Sequence, residues 1–141
     1  YSRTNSPASS IADIGSFGSN SSWTLIEVFG SIFYNLINQS SSVSNSSMNT
    51  TLGHFVGSRT ASNNLKSYRN GTSVATYTTS VNNLSDRIIY LAAMNNSPSP
   101  QFYSNRQYSF ASIGDGLNDI EVANFYTDVQ AFQTTLNRQV V

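Results

Sequence analysis

The stretch LKSYRNGTSVATY, residues 65–77, constrains the fold more than any other part of the chain. Asn70 and Gly71 both tolerate positive φ, which a two-residue type I′ turn requires at both central positions. The flanking residues are strand formers, so Leu65–Arg69 and Val74–Thr78 read as two antiparallel strands. An isolated hairpin is marginal in water, so this one needs a sheet beside it and an apolar face beneath it.

The rest of the chain supplies that sheet. Residues 23–29, WTLIEVF, alternate: Trp23, Leu25, Glu27 and Phe29 share one face, and Thr24, Ile26 and Val28 the other. Gly30-Ser31 predicts a turn into a second strand at 32–38, and 52–60 predicts another. RIIYLAAM, 87–94, is apolar on both faces and reads as a strand buried on both sides, while RQYSFASI, 106–113, reads as the last strand. The Ser-, Asn- and Gly-rich segments 5–22, 39–51 and 95–105 read as loops.

After Gly116 the period changes. Val122, Phe125, Tyr126, Val129, Phe132, Gln133 and Leu136 recur at helical spacing and predict a helix over about 118–136. Asn118 with Glu121 three residues on is a capping-box pair, and Asp119 and Glu121 suit the positive end of the helix dipole. Short strands punctuated by turns, closed by one amphipathic helix, predict an all-β antiparallel sandwich or barrel with a C-terminal helix.

Composition narrows the chemistry. Seven basic and seven acidic residues balance, and only 10% of the 141 residues are charged, so a basic nucleic-acid patch is not expected. The chain contains no cysteine, which excludes disulfides, thiol catalysis and Cys-ligated zinc. His54 is the single histidine, which excludes His-rich metal sites. No apolar run approaches the ~20 residues of a membrane-spanning helix.

Two segments carry a family resemblance. HFVGSRTASNNLKSYRNGTSVATYTTS and IIYLAAMNN, followed by NRQYSFASIGDGLNDIEVANFYTDVQAFQTTLNRQV, resemble laminin-G-like, concanavalin A-like jelly rolls of the type found at the C-terminus of phage virion proteins and bacterial surface proteins. The likeness is dense over 54–141 and looser over 6–53, and SIGDGL with the acidic helix start is its most specific part. YSRTN resembles a strand that lies mid-domain in such proteins. The resemblance therefore implies that residues 1–141 are the C-terminal part of one concanavalin-like domain, with upstream strands supplied from its own parent chain or from a neighbour. It also implies an extracellular or virion-surface location, and pairing with another copy or another protein.

Candidate site residues follow from chemistry. Hydrolysis by this fold needs two flanking carboxylates. Glu27 stands alone in its strand and Asp13 and Asp86 in loop-like sequence, so no catalytic set is expected. Calcium at a sandwich rim, common in laminin-G-like domains, has Asp115 and Asp119 as its weak candidates, against the plainer reading of a turn and a helix cap. Sugars are held by aromatic faces with amides and hydroxyls. Trp23, Tyr68, Tyr77 and Tyr103 are the aromatic candidates; Tyr103 lies in a loop, Tyr68 and Tyr77 flank the hairpin and are expected to be partly exposed, and Trp23 is expected in the core. Arg59 and Arg106 are candidates for sugar or anion contact, against a structural ion pair with Asp86 or Asp115. The leading expectation is a non-catalytic, lectin-like module that binds a glycan or host-surface polysaccharide. The alternatives are a structural virion or filament component that binds protein partners only, and, less favoured, a glycoside hydrolase.

Overall fold

The computed structural model describes residues 1–6, 11–40, 45–96 and 99–140. Its elements, in chain order, are β1 (Ile14–Phe17), β2 (Trp23–Phe29), β3 (Ile32–Gln39), β4 (Asn45–Ser47), β5 (Phe55–Ala61), β6 (Asn64–Arg69), β7 (Thr72–Tyr77), β8 (Tyr90–Leu91), β9 (Met94–Asn96), β10 (Ser99–Gln101) and α1 (Asp119–Thr135). The protein is thus mostly β, with two sheets and one C-terminal helix.

The larger sheet runs β10-β9-β1-β2-β3-β4, with β8 also paired to β1. All its pairings are antiparallel except β1 with β9. The smaller sheet is the meander β5-β6-β7. Asn70 and Gly71 join β6 to β7 with φ of 50° and 76°, as the hairpin turn demands. Gly30, at φ 61°, turns β2 into β3.

The alternation of β2 sets two faces to different uses. Leu25 meets Leu36 across the ladder and clusters with Ala12 and Met94, with Phe17 and Trp23 packed against them. The opposite face of the sheet carries Ile26, Phe33 and Asn35 toward the small sheet. There the Phe33 and Phe55 rings meet edge to face at 5.3 Å. Asn35 Nδ2 donates to Lys66 O at 2.9 Å and to Ser67 Oγ at 3.0 Å, tying β3 to β6. Gly57 is required at this contact, because a Cβ there would lie 2.1 Å from Asn35 Oδ1 and 2.7 Å from Ile26 Cδ1. The two sheets stack strand for strand: β5 lies against β2 and β3, β6 against β3, and β7 against β4. Phe33, Leu36 and Leu65 are fully enclosed. Each such side chain contributes about 1.5–3 kcal/mol relative to exposure.

Helix α1 packs beside the small sheet. Asn118 Oδ1 accepts from the N–H groups of Ile120 and Glu121, and Glu121 Oε2 accepts from Asn118 N–H at 2.8 Å, so the capping box is complete. Val122, Val129 and Gln133 are buried, whereas Phe132 and Leu136, expected in the same stripe, are exposed. Tyr126 rests against Gly71 at the hairpin turn.

Five expectations change. Ile14–Phe17, read as loop, is β1, and its narrow IGSF pattern is hidden in polar sequence. Residues 87–94 do not form one doubly buried strand. Ala92 adopts φ 58° and breaks the run into β8 and the start of β9, leaving Ile88 76% exposed and Leu91 60% exposed. Residues 106–113 form no strand: Arg3 N–H donates to Gln107 O and Ser109 N–H to Tyr1 O, and the pairing among the described residues amounts to an isolated bridge between Ser2 and Tyr108. Within the loop expected at 39–51, Asn45–Ser47 is β4, while 41–44 lie outside the described residues. The loop at 95–105 likewise contains part of the β9–β10 hairpin, with 97–98 outside the described residues.

Candidate functional site

Tyr103 is 65% exposed and sits on backbone fixed from both sides. The preceding carbonyl, Phe102 O, accepts from Ala12 N–H at 2.8 Å, and the following amide, Ser104 N–H, donates to Ala92 O at 2.8 Å. Phe102 itself is held at φ 54°, a left-handed conformation that costs a non-glycine residue roughly 1 kcal/mol or more. Phe102 is also exposed. The chain therefore presents two adjacent aromatic side chains on a backbone with little freedom left to lose. Just upstream, Asn96 Nδ2 donates to Gln101 Oε1 at 2.8 Å across the β9–β10 hairpin, leaving the Asn96 carbonyl and the Gln101 amino group for an outside partner. Aromatic faces beside amide groups suit a neutral, hydroxyl-rich ligand.

The other aromatic candidates are placed differently. Tyr68 is 1% exposed, not partly exposed as expected, because the start of α1 covers it. Its hydroxyl donates to Asp119 Oδ1 at 2.7 Å, and burial together with that carboxylate raises its pKa. Tyr77 is half-buried. Trp23 stacks obliquely on Phe17, with ring centres 4.2 Å apart, and packs on the Leu25 cluster.

The arginines are tied into the fold. Arg59 donates to the carbonyls of Ile37, Ser62 and Thr79, bridging the two sheets. Arg106 does form an ion pair, but with neither Asp86 nor Asp115: its Nη1 lies 2.7 Å and 3.0 Å from the two oxygens of Asp13. Its Nε and Nη2 donate to Ser6 O, and Nη2 also to Val28 O. Asp13 further accepts from Val28 N–H at 3.1 Å and from the Tyr108 hydroxyl.

This cluster was not legible as a unit, and it includes Glu27. Asp13 binds backbone on both sides of Glu27, through Ile26 O and Val28 N–H. Burial, then the Asp13 charge, pushes the Glu27 carboxyl up to about 7. A carboxyl raised by burial and by a neighbouring carboxylate charge is a feature that acid–base catalysts use. The lone pairs of Asp13 are committed to Arg106, Tyr108 and Val28, however. Only Asp13 of the two borders the cleft described next.

That cleft, about 460 Å³, lies between the sheets and is lined mainly by apolar groups, among them Ile14, Ile26, Ile37, Phe55, Leu91 and Ile113. His54 at one end is enclosed by Tyr1, Phe110, Phe125 and Tyr126, and burial lowers its pKa to about 4, so it is neutral at physiological pH. Asp119 is engaged by Lys66 Nζ at 2.8 Å and by Tyr68, and its carboxyl is held below the usual range, while Asp115 is exposed. Among the described residues no cluster of three or more His, Asp or Glu side chains is placed to hold a metal ion. Among them, too, no helix is long and apolar enough to cross a membrane.

No family model, curated protein or solved structure matches this chain.

Proposed function

We propose that the protein is a non-catalytic recognition module whose two sheets form a concanavalin-like, jelly-roll sandwich, and that it binds a neutral glycan at Phe102 and Tyr103. The observation that carries this reading is the exposed aromatic pair on a backbone anchored at Ala12 and Ala92 and held at positive φ. Ordering of the site costs little on binding, because the backbone is already fixed. The charge-poor surface, rich in Ser, Thr, Asn and Gln, suits hydroxyl ligands and display on a virion or cell surface.

A glycan array followed by titration tests it. At least one neutral oligosaccharide should bind, and Tyr103→Ala should weaken that binding at least tenfold with an unchanged melting temperature. An array without a binder, or full affinity in the variant, removes the proposal.

A further inference from the structure

Ser104, the residue after Tyr103, begins a path of hydrogen bonds into the interior. Its Oγ accepts from Arg106 N–H at 3.2 Å and is bonded to the Tyr108 hydroxyl. That hydroxyl is bonded in turn to Asp13 Oδ1. Counting protons sets the direction. Asp13 is the carboxylate paired with Arg106 and can only accept, so the single hydroxyl proton of Tyr108 points to it. Tyr108 Oη therefore accepts from Ser104, and Ser104 Oγ takes its own hydrogen bond from Arg106 N–H. Burial and the Asp13 charge raise the Tyr108 pKa, so the hydroxyl keeps its proton at physiological pH. The result is a one-way series from Arg106 N–H through Ser104 and Tyr108 to the Asp13 carboxylate, in which each bond polarises the next.

The backbone closes this path into a ring. Asp13 O accepts from Ala92 N–H at 2.8 Å, and Ala92 O accepts from Ser104 N–H at 2.8 Å. One residue before Asp13, Ala12 N–H donates to Phe102 O at 2.8 Å. The aromatic pair thus has both of its ends referred to the segment Ala12–Asp13. Asp13 is itself held firmly, by Arg106 Nη1 at 2.7 Å and 3.0 Å and by Val28 N–H at 3.1 Å. Ser104 is bonded through two different atoms, its amide to Ala92 and its hydroxyl to Tyr108. Two such bonds fix the rotation of a residue as well as its place, so the peptide joining Ser104 to Tyr103 keeps little freedom.

We propose that Ser104 and Tyr108 are positioning residues for the exposed aromatic pair, their hydroxyls transmitting the fixed geometry of Asp13 to Tyr103. The proposal rests on the reading of Phe102 and Tyr103 as a glycan site. The Tyr108 hydroxyl acts through Ser104 and not on the ligand, because its proton is committed to Asp13. Its effect on affinity is preorganisation: without the relay, ordering Tyr103 is left to the moment of binding.

The test uses the oligosaccharide selected on the array and compares the native chain with Tyr108→Phe, Ser104→Ala, the double variant and Ser104→Thr. Tyr108→Phe and Ser104→Ala should each weaken binding by about tenfold, the scale of one hydrogen bond in a charge-linked series. The double variant should bind no more weakly than the weaker single one, because both changes break the same path. Ser104→Thr keeps the hydroxyl and should keep the affinity. In the unliganded chain, amide exchange at Ser104 should quicken in Tyr108→Phe while exchange in β6 stays as in the native protein. Ser104→Ala alone carries the test if the Tyr108 variant does not fold. Full affinity in Tyr108→Phe beside a loss in Tyr103→Ala overturns this inference and leaves the glycan reading standing. Losses that add in the double variant, failure of Ser104→Thr to retain binding, or equal quickening of exchange in β6 assign the effect to general loosening and overturn it as well. An array without a binder removes the glycan reading and this inference with it.

Discussion

Arg106 shows how much one side chain can fix. Its guanidinium has no solvent exposure and spans Ser6, Asp13 and Val28, so three stretches of chain meet on it. Removing one partner of such a pair leaves a buried charge without compensation, which costs about 3–5 kcal/mol. Arg106→Leu should therefore destabilise by that amount in urea. Adding Asp13→Asn should recover part of the loss, because the amide keeps an acceptor for Val28 N–H and carries no charge. Equal destabilisation in the single and double variants would mean that the stems and not the charges matter. The sequence showed that Arg106 and several carboxylates were available, but not which would meet: Asp13 lies 93 residues away, and nothing local favours it over Asp86 or Asp115. Tyr68 was misjudged for the same reason. Its position near a turn implied exposure, whereas its burial depends on where α1 begins.

Elements whose signals are local were readable. The capping box of α1 and the Asn70-Gly71 hairpin rest on residues within four positions of one another, and both form as expected. Asn118→Ala should cost about 1 kcal/mol, read as a lower denaturation midpoint, since two helix N–H groups lose their acceptor; an unchanged midpoint would assign the helix start to the Lys66–Asp119 contact instead. The strands at 87–94 and 106–113 failed because a strand is defined by its neighbour. Ala92 at positive φ divides the first, and among the described residues the second is paired through an isolated bridge between Ser2 and Tyr108. β1 was missed because a four-residue strand with Gly15 in it carries almost no pattern, and its close fit to Leu25 is visible only in three dimensions. The Phe102–Tyr103 surface was half legible: the loop position pointed to Tyr103, but the anchoring at Ala12 and Ala92 is tertiary.

At the scale of the molecule, a half-buried and a buried titrating group, Glu27 and His54, work against each other. Glu27 has its pKa raised to about 7, so the folded state holds a proton that the unfolded chain has released above about 4.5. Its stabilising contribution is complete below that lower value and is lost as pH rises through 7. His54 has its pKa lowered to about 4, so the unfolded chain binds a proton first. Its contribution is complete above about 6.5 and is lost as pH falls through 4. Between pH 4.5 and 6 both groups are in mid-transition with opposite slopes, each about 1 kcal/mol across the window once partial solvent screening is allowed for. The wild-type melting temperature should accordingly be nearly flat there. Glu27→Gln removes one slope, and its melting temperature should rise from pH 4.5 to 6. His54→Phe keeps a ring among Tyr1, Phe110, Phe125 and Tyr126, and its melting temperature should fall over the same range. Parallel flat profiles in all three proteins would show that neither proton is coupled to folding. A slope of the same sign in both variants would place the coupling in other carboxylates, outside the Asp13–Glu27–Arg106 cluster.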